Sequence, residues 1–127
     1  MNAYEIPNLR FSVPAGAAIA RRRFVTINAS GAGVYPAAGA KAIGVSMTQA
    51  ADKEVLDVAD GIVMVEAAAE IAAGSLISTD ADGKAVVATA ATQSGTTPFA
   101  VTAGTVVLGI AFTNSTAAGQ PIAVKVI

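Results

Sequence analysis

At 127 residues the chain is long enough for one domain that buries about two-thirds of its unfolded surface. A net charge of −1, with only 13% of residues charged, leaves no global field to steer nucleic acid or an acidic membrane surface. Cysteine and histidine are both absent, which removes disulfides, thiol nucleophiles, imidazole bases and His/Cys metal sites.

The apolar set holds 15 Val and 10 Ile against 4 Leu, with 11 Thr besides. β-Branched side chains lose χ1 freedom in a helix and pack well on a pleated sheet, so an all-β (mostly β) fold is expected. So thinly charged a chain, with 30 Ala, also points to a large subunit contact.

Residues 1–13 place Tyr4, Ile6, Leu9 and Phe11 between polar neighbours, with Pro7 among them, and read as an extended N-terminal arm. No partner strand is evident for this arm, so its apolar side chains are expected to dock on another surface. The same segment has no basic stretch followed by an apolar run, so export is not expected. A single β domain is expected over 14–127. Its first strand is predicted from Ala20 to Asn28, closed by "SGAG" at 30–33. In a strand, Arg21 and Arg23 face one way and Arg22 the other, so the triple arginine is not one patch. Without aromatic partners it argues for a solvated or subunit-contacting strand start, not for nucleic acid.

"AIGVSMT" at 42–48 is a strand with a glycine inside it. "KEVLDVA" and "GIVMVEA" alternate around Asp60-Gly61, which predicts a hairpin. "EAAAEIAAG" at 66–74 is the one helical-looking piece, but it has like charges at Glu66 and Glu70, no cap and no amphipathic stripe, so a strand running into a loop is expected, with at most one helical turn. The most apolar run, Ile62 to Ala73, contains both glutamates and is too short to span a bilayer.

"STDADGKAVV" at 78–87 begins like a calcium loop, with Asp80 and Asp82 two apart. Counting from Asp80, however, the fifth position is Lys84, the sixth Ala85 and the twelfth Ala91, where a ligand, a glycine and a closing glutamate are required. A hairpin turn through Asp82-Gly83 is the expectation, with no metal and no cofactor. Beyond it, Ala88 to Thr102 is expected to be a long exposed loop, and "GTVVLGIAFTN" and "PIAVKVI" are the closing strands.

The chain also repeats itself. "IGVSMT" from Ile43 matches "LGIAFT" from Leu108, each followed by a polar turn and an alternating strand. Upstream, "VPAGAAI" at 13–19 resembles "IAAGSLI" at 71–77. Two similar β-units, 13–60 and 71–127, are therefore expected to build a small barrel or sandwich.

No constellation for catalysis is present. Hydroxyls lack a base, no lysine has the Ser-x-x-Lys spacing, and the acid pairs Asp57/Asp60 and Glu66/Glu70 read as solvated strand faces. "GAGVYPAAG" lacks the Lys-Ser/Thr and the helix of a phosphate loop. The chain is not expected to be an enzyme.

The extended start, "VPAGAAI", "AIGVSMTQAADKEVLDVADGIVMVEA", "IAAGSLISTDADGKAVVA" and "VLGIAFTNSTAAGQPIAVKVI" together resemble the capsid cement, or head decoration, proteins of tailed bacteriophages. The resemblance spans nearly the whole chain and carries no catalytic residues. It implies a structural virion protein, made in the host cytoplasm, on the capsid exterior. It further implies contact with the major capsid protein, trimers on the shell, and stapling of neighbouring capsomers. Tyr4, Ile6, Leu9, Phe11, Arg21, Arg22 and Arg23 are the candidate capsid or subunit contacts. Neither nucleic acid nor membrane is an expected partner. A glycan- or receptor-binding module and a tail-tube subunit are the alternative readings.

Overall fold

One long strand organises the computed structural model, which describes residues 3–89, 92–94, 100–102 and 104–126. The strands are β1 (Ile6–Pro14), β2 (Phe24–Ile27), β3 (Gly33–Val34), β4 (Gly44–Ser46), β5 (Val55–Glu66), β6 (Leu76–Thr79), β7 (Ala85–Val87), β8 (Thr92–Ser94), β9 (Ala100–Thr102), β10 (Gly109–Ala111) and β11 (Pro121–Val126). Among the described residues there is no helix. Nine strands form one curled sheet in the order β3-β2-β4-β5-β11-β10-β6-β7, with β1 added on β5; β8 and β9 pair separately. The β-branched composition has its outlet in these short, mostly buried strands.

β5 is shared. Its Val55–Ile62 stretch pairs antiparallel with β1, while on the other edge β4 meets Val58 and Ala59, and β11 runs along Ile62–Glu66. Unit one is thus β3-β2-β4-β5-β1, and unit two is β7-β6-β10-β11-β5. Each curls until its ends touch through one parallel bridge, Ala15 to Gly33 in the first and Ala67 to Ala85 in the second. Period-2 alternation along β5 serves both interiors. Leu56 and Val58 enter the core of unit one with Ala15, Ile19 and Val25. Ala59, Val63 and Val65 enter the core of unit two with Ile71, Ile77, Ile122 and Val124.

The duplication is offset by 52 residues early in the unit (15 to 67, 33 to 85), by 65 later (50 to 115), and by 66 after one further residue in the turn that follows (53 to 119). The upstream repeat therefore sets 13–19 against "VEAAAEI" at 65–71, six residues before the stretch that sequence similarity selects. The difference in offset comes from the β8–β9 hairpin, which only unit two carries. It falls inside 88–102, where one long loop was expected; positions 90, 91 and 95–99 lie outside the described residues.

The Asp80 turn also exists twice. Asp80 Oδ1 accepts the backbone N–H groups of Asp82 and Lys84, both at 2.9 Å, and Asn28 Oδ1 accepts those of Ser30 and Ala32, both at 3.0 Å. An uncharged amide does in unit one what the carboxylate does in unit two, so the aspartate is there as a turn acceptor.

Two expectations are corrected. Asp60-Gly61 is not a hairpin: β5 passes straight through it, and Gly61 (φ 103°) faces a bulge in β1 where the register slips between Pro7 and Leu9. A Cβ there would lie 2.6 Å from the Asn8 nitrogen, while Asp60 Oδ1 accepts the Leu9 N–H at 3.1 Å. The N-terminal arm does have a partner within the chain, since it is β1, and its Phe11 and Val13 pack against the core of unit one.

Two residues other than glycine hold left-handed backbone, Arg22 (φ 64°) and Lys53 (φ 70°). Their counterparts are Gly74 and Gly119, at φ 88° and 89°. The backbone bonds are the same in both units: Arg22 N–H reaches Ser46 O as Gly74 N–H reaches Ala111 O, and Lys53 N–H reaches Ala15 O as Gly119 N–H reaches Ala67 O. An L-residue in this region costs about 1–2 kcal/mol, less the entropy that glycine gains on unfolding. Arg22→Gly and Lys53→Gly are each expected to stabilise by about 0.5–1 kcal/mol, a rise in Tm of about 2–5 °C by calorimetry. A fall in Tm would show that the side chains hold these turns.

Candidate functional site

The three arginines do not sit in a strand. They precede β2, with Arg21 exposed and Arg22 and Arg23 half-buried. Arg23 belongs to the contact between the two units. Its Nη2 lies 3.0 Å from Glu66 Oε2, which Lys84 Nζ approaches at 3.5 Å. Nη1 donates to the Asp82 carbonyl at 3.0 Å, and the guanidinium carbon stands 5.9 Å from the centre of the Tyr35 ring. Around it, Phe24 N–H donates to Gly83 O at 2.7 Å and Glu66 N–H to Arg22 O at 2.9 Å. Arg22 and Arg23 are therefore tied into the fold through backbone or side chain, and Arg21 alone projects freely.

Of the N-terminal candidates, Tyr4 is half-buried, and Phe11 packs inward against the core of unit one. Ile6 and Leu9 point out, 61% and 54% exposed. Both stand against the even-numbered face of β5, Ile6 opposite Ile62 and Leu9 opposite Asp60. Two of the four apolar arm residues are thus exposed and two are not.

Following the pairing outward from Ile6 reveals a surface that sequence reading missed. Ile6 faces Ile62, Ile62 faces Lys125, Lys125 faces Ile110, and Ile110 faces Leu76. Directly opposed residues share a face. This row crosses five strands and is apolar except for Lys125. Phe112, two residues beyond Ile110, is 37% exposed and Leu76 is 49% exposed. At the β1 end, a groove is lined by Ile6, Asn8, Asp60, Gly61, Ile62, Lys125 and Val126. Only the strand register brings these residues together; the sequence repeat pairs Ile110 with Val45, but Leu76 with Phe24 only at the offset of 52 that the structure gives.

Among the described residues no three or more Asp and Glu carboxylates stand close enough to share a metal ion. What the surface offers is apolar area on a rigid sheet with few charges.

Because Arg23 is engaged from three sides, Arg23→Ala is expected to destabilise by about 1–2 kcal/mol, lowering Tm by about 4–8 °C. Arg21→Ala should stay within about 0.5 kcal/mol of the parent. Equal melting shifts for the two variants would remove Arg23 from the contact between units.

Among curated proteins none matches the chain. A solved structure, described as head fiber gp8.5 N base in bacteriophage phi29, has a similar fold with a TM-score of 0.70. The two are 16% identical, over 94% of this chain and 93% of that one. The phage cement protein family matches residues 5–126. That match leaves out only the first four residues and the last, and with it the chain belongs to the phage cement proteins, capsid-associated structural components of bacteriophage virions.

Proposed function

We propose that this protein binds the outer surface of an assembled capsid and bridges neighbouring capsomers, contacting the major capsid protein and grouped in threes on the shell. The family match over residues 5–126 carries the reading. Catalysis has no part in such a role, nor does binding to nucleic acid or membrane. The role calls for area, rigidity and copy number. Neighbouring copies on a shell raise one another's effective concentration, so individually weak contacts sum to a firm grip.

Ile6 and Leu9 are the side chains we assign to the capsid. They are large, apolar and more than half exposed, and they sit on a strand held along its whole length by β5. Such a strand loses no further backbone freedom on docking. Removing residues 2–11 is a poor test, because it takes Phe11 and much of β1 from unit one. The double variant Ile6→Asp, Leu9→Asp is expected to melt within about 3 °C of the parent, since both side chains face solvent. Its affinity for undecorated particles should fall by about two orders of magnitude, read by co-sedimentation and by imaging of occupancy. Undiminished occupancy would move the contact elsewhere on the molecule.

A further inference from the structure

One pole is built differently in the two units. In unit two the bridge from Ile71 to Ser115 is closed by side chains. Ser115 Oγ accepts the Ile71 N–H at 3.0 Å and donates to Ala69 O at 2.8 Å, and Asn114 Oδ1 accepts the Ala73 N–H at 2.7 Å. In unit one the matching bridge joins Ile19 to Ala50, so the serine hydroxyl is missing. Gln49 stands at the place of Asn114, but its amide makes no hydrogen bond among the described residues. Ala17 O and Arg21 N–H, the counterparts of Ala69 O and Ala73 N–H, also have no partner among them.

An open groove of about 620 Å³ lies at this pole of unit one, a volume within the range of small-ligand sites. Its apolar floor is Ile19 and Ala50, only 2% and 4% exposed. Three polar side chains line it, each with hydrogen-bonding capacity that the fold leaves unengaged. Tyr35 Oη accepts the Ala20 N–H at 2.8 Å and keeps its own proton to donate. Glu54 Oε1 accepts the Ala51 N–H at 2.8 Å, which leaves Oε2 to accept. The Gln49 amide both donates and accepts. An anion would meet the Glu54 carboxylate, and a purely apolar ligand would leave these groups unpaired. A neutral ligand with several hydroxyls, each a donor and an acceptor, satisfies them together.

We infer that this groove binds a saccharide ring, one of whose hydroxyls takes the place that Ser115 Oγ fills in unit two. That hydroxyl donates to Ala17 O beside the small Ala50 side chain. The Tyr35, Gln49 and Glu54 side chains bind its neighbours on the ring. This goes beyond the capsid role and does not rest on it. Glu54 adjoins Val55, which pairs with Pro14 at one end of β1, whereas Ile6 opposite Ile62 is at the other end. The strand between them spans about 26 Å, so sugar and capsid occupy separate sites.

Backbone amides of the isotope-labelled full chain are followed by NMR during titration with methyl glucoside, methyl galactoside, methyl mannoside and N-acetylglucosamine, with sorbitol as the open-chain control. At least one ring sugar is expected to shift the Ile19, Arg21 and Ala50 amides saturably, with a Kd of about 1 mM for so small a ligand. Ala50→Ser supplies the hydroxyl from within the chain and is expected to weaken binding about tenfold while melting no lower than the parent. Gln49→Ala removes an exposed side chain that the fold does not use, and should weaken binding about fivefold at unchanged Tm. It decides the matter alone should Ala50→Ser fail to fold. No saturable shift with any of these sugars, equal shifts with sorbitol, or parent affinity in the folded variants would overturn the inference. The Ile6, Leu9 double variant is expected to bind sugar as the parent does, so loss of capsid binding and loss of sugar binding are told apart.

Discussion

The constraint on which the structure depends is the double duty of β5. Twelve consecutive residues, Val55–Glu66, close one curled unit and open the next. Strand alternation alone lets this happen, because even-numbered Leu56 and Val58 enter one core while odd-numbered Ala59, Val63 and Val65 enter the other. No linker separates the units, so neither can rotate against the other without breaking a strand. That rigidity follows directly from sharing one strand.

Divergence between the units shows which positions geometry dictates. Gly44 and Gly109 are both kept, and in both places a Cβ would run into a backbone carbonyl of the neighbouring strand, Ala59 O or Lys125 O. The short strands β4 and β10 can approach their partners only as glycine. The inward residues are also kept in kind: Ile19 and Ile71, Val25 and Ile77, Val58 and Val124 are all buried. Outward positions are free to differ, and there Phe24 becomes Leu76 while Ala59 becomes Lys125.

Much of this was legible in the sequence because it is local. β-Branched content, the Gly-containing strands and the Asx turn at Asp80 depend on neighbours a few residues away. The Asp60-Gly61 pair was misread for a physical reason: a left-handed glycine serves a hairpin and a strand facing a bulge equally well. What decides between them is Asn8, more than fifty residues distant in sequence. The arm was read as lacking a partner for the same cause, since nothing near Tyr4 or Ile6 announces β5. The triple arginine was placed in a strand because charge pattern says nothing of backbone angle, and Arg22 turns the chain where its counterpart is a glycine. The exposed row from Ile6 to Leu76 draws on five strands and is visible only once register is known.

The loop between the third and fourth strands of each unit carries the asymmetry further. In unit one it is short, and Gly39 reaches across to unit two, donating to Thr79 O and accepting from Val106 N–H, both at 2.9 Å. In unit two the equivalent loop is lengthened and carries the β8–β9 hairpin. One copy of the loop therefore fastens the two units together, and the other adds structure that the first unit lacks. The same division runs through the outer rows. Phe24, Val45 and Ala59 are spent inside the chain, and Leu76, Ile110 and Lys125 are left outside it. Duplication followed by this division leaves the chain with one covered row and one exposed row.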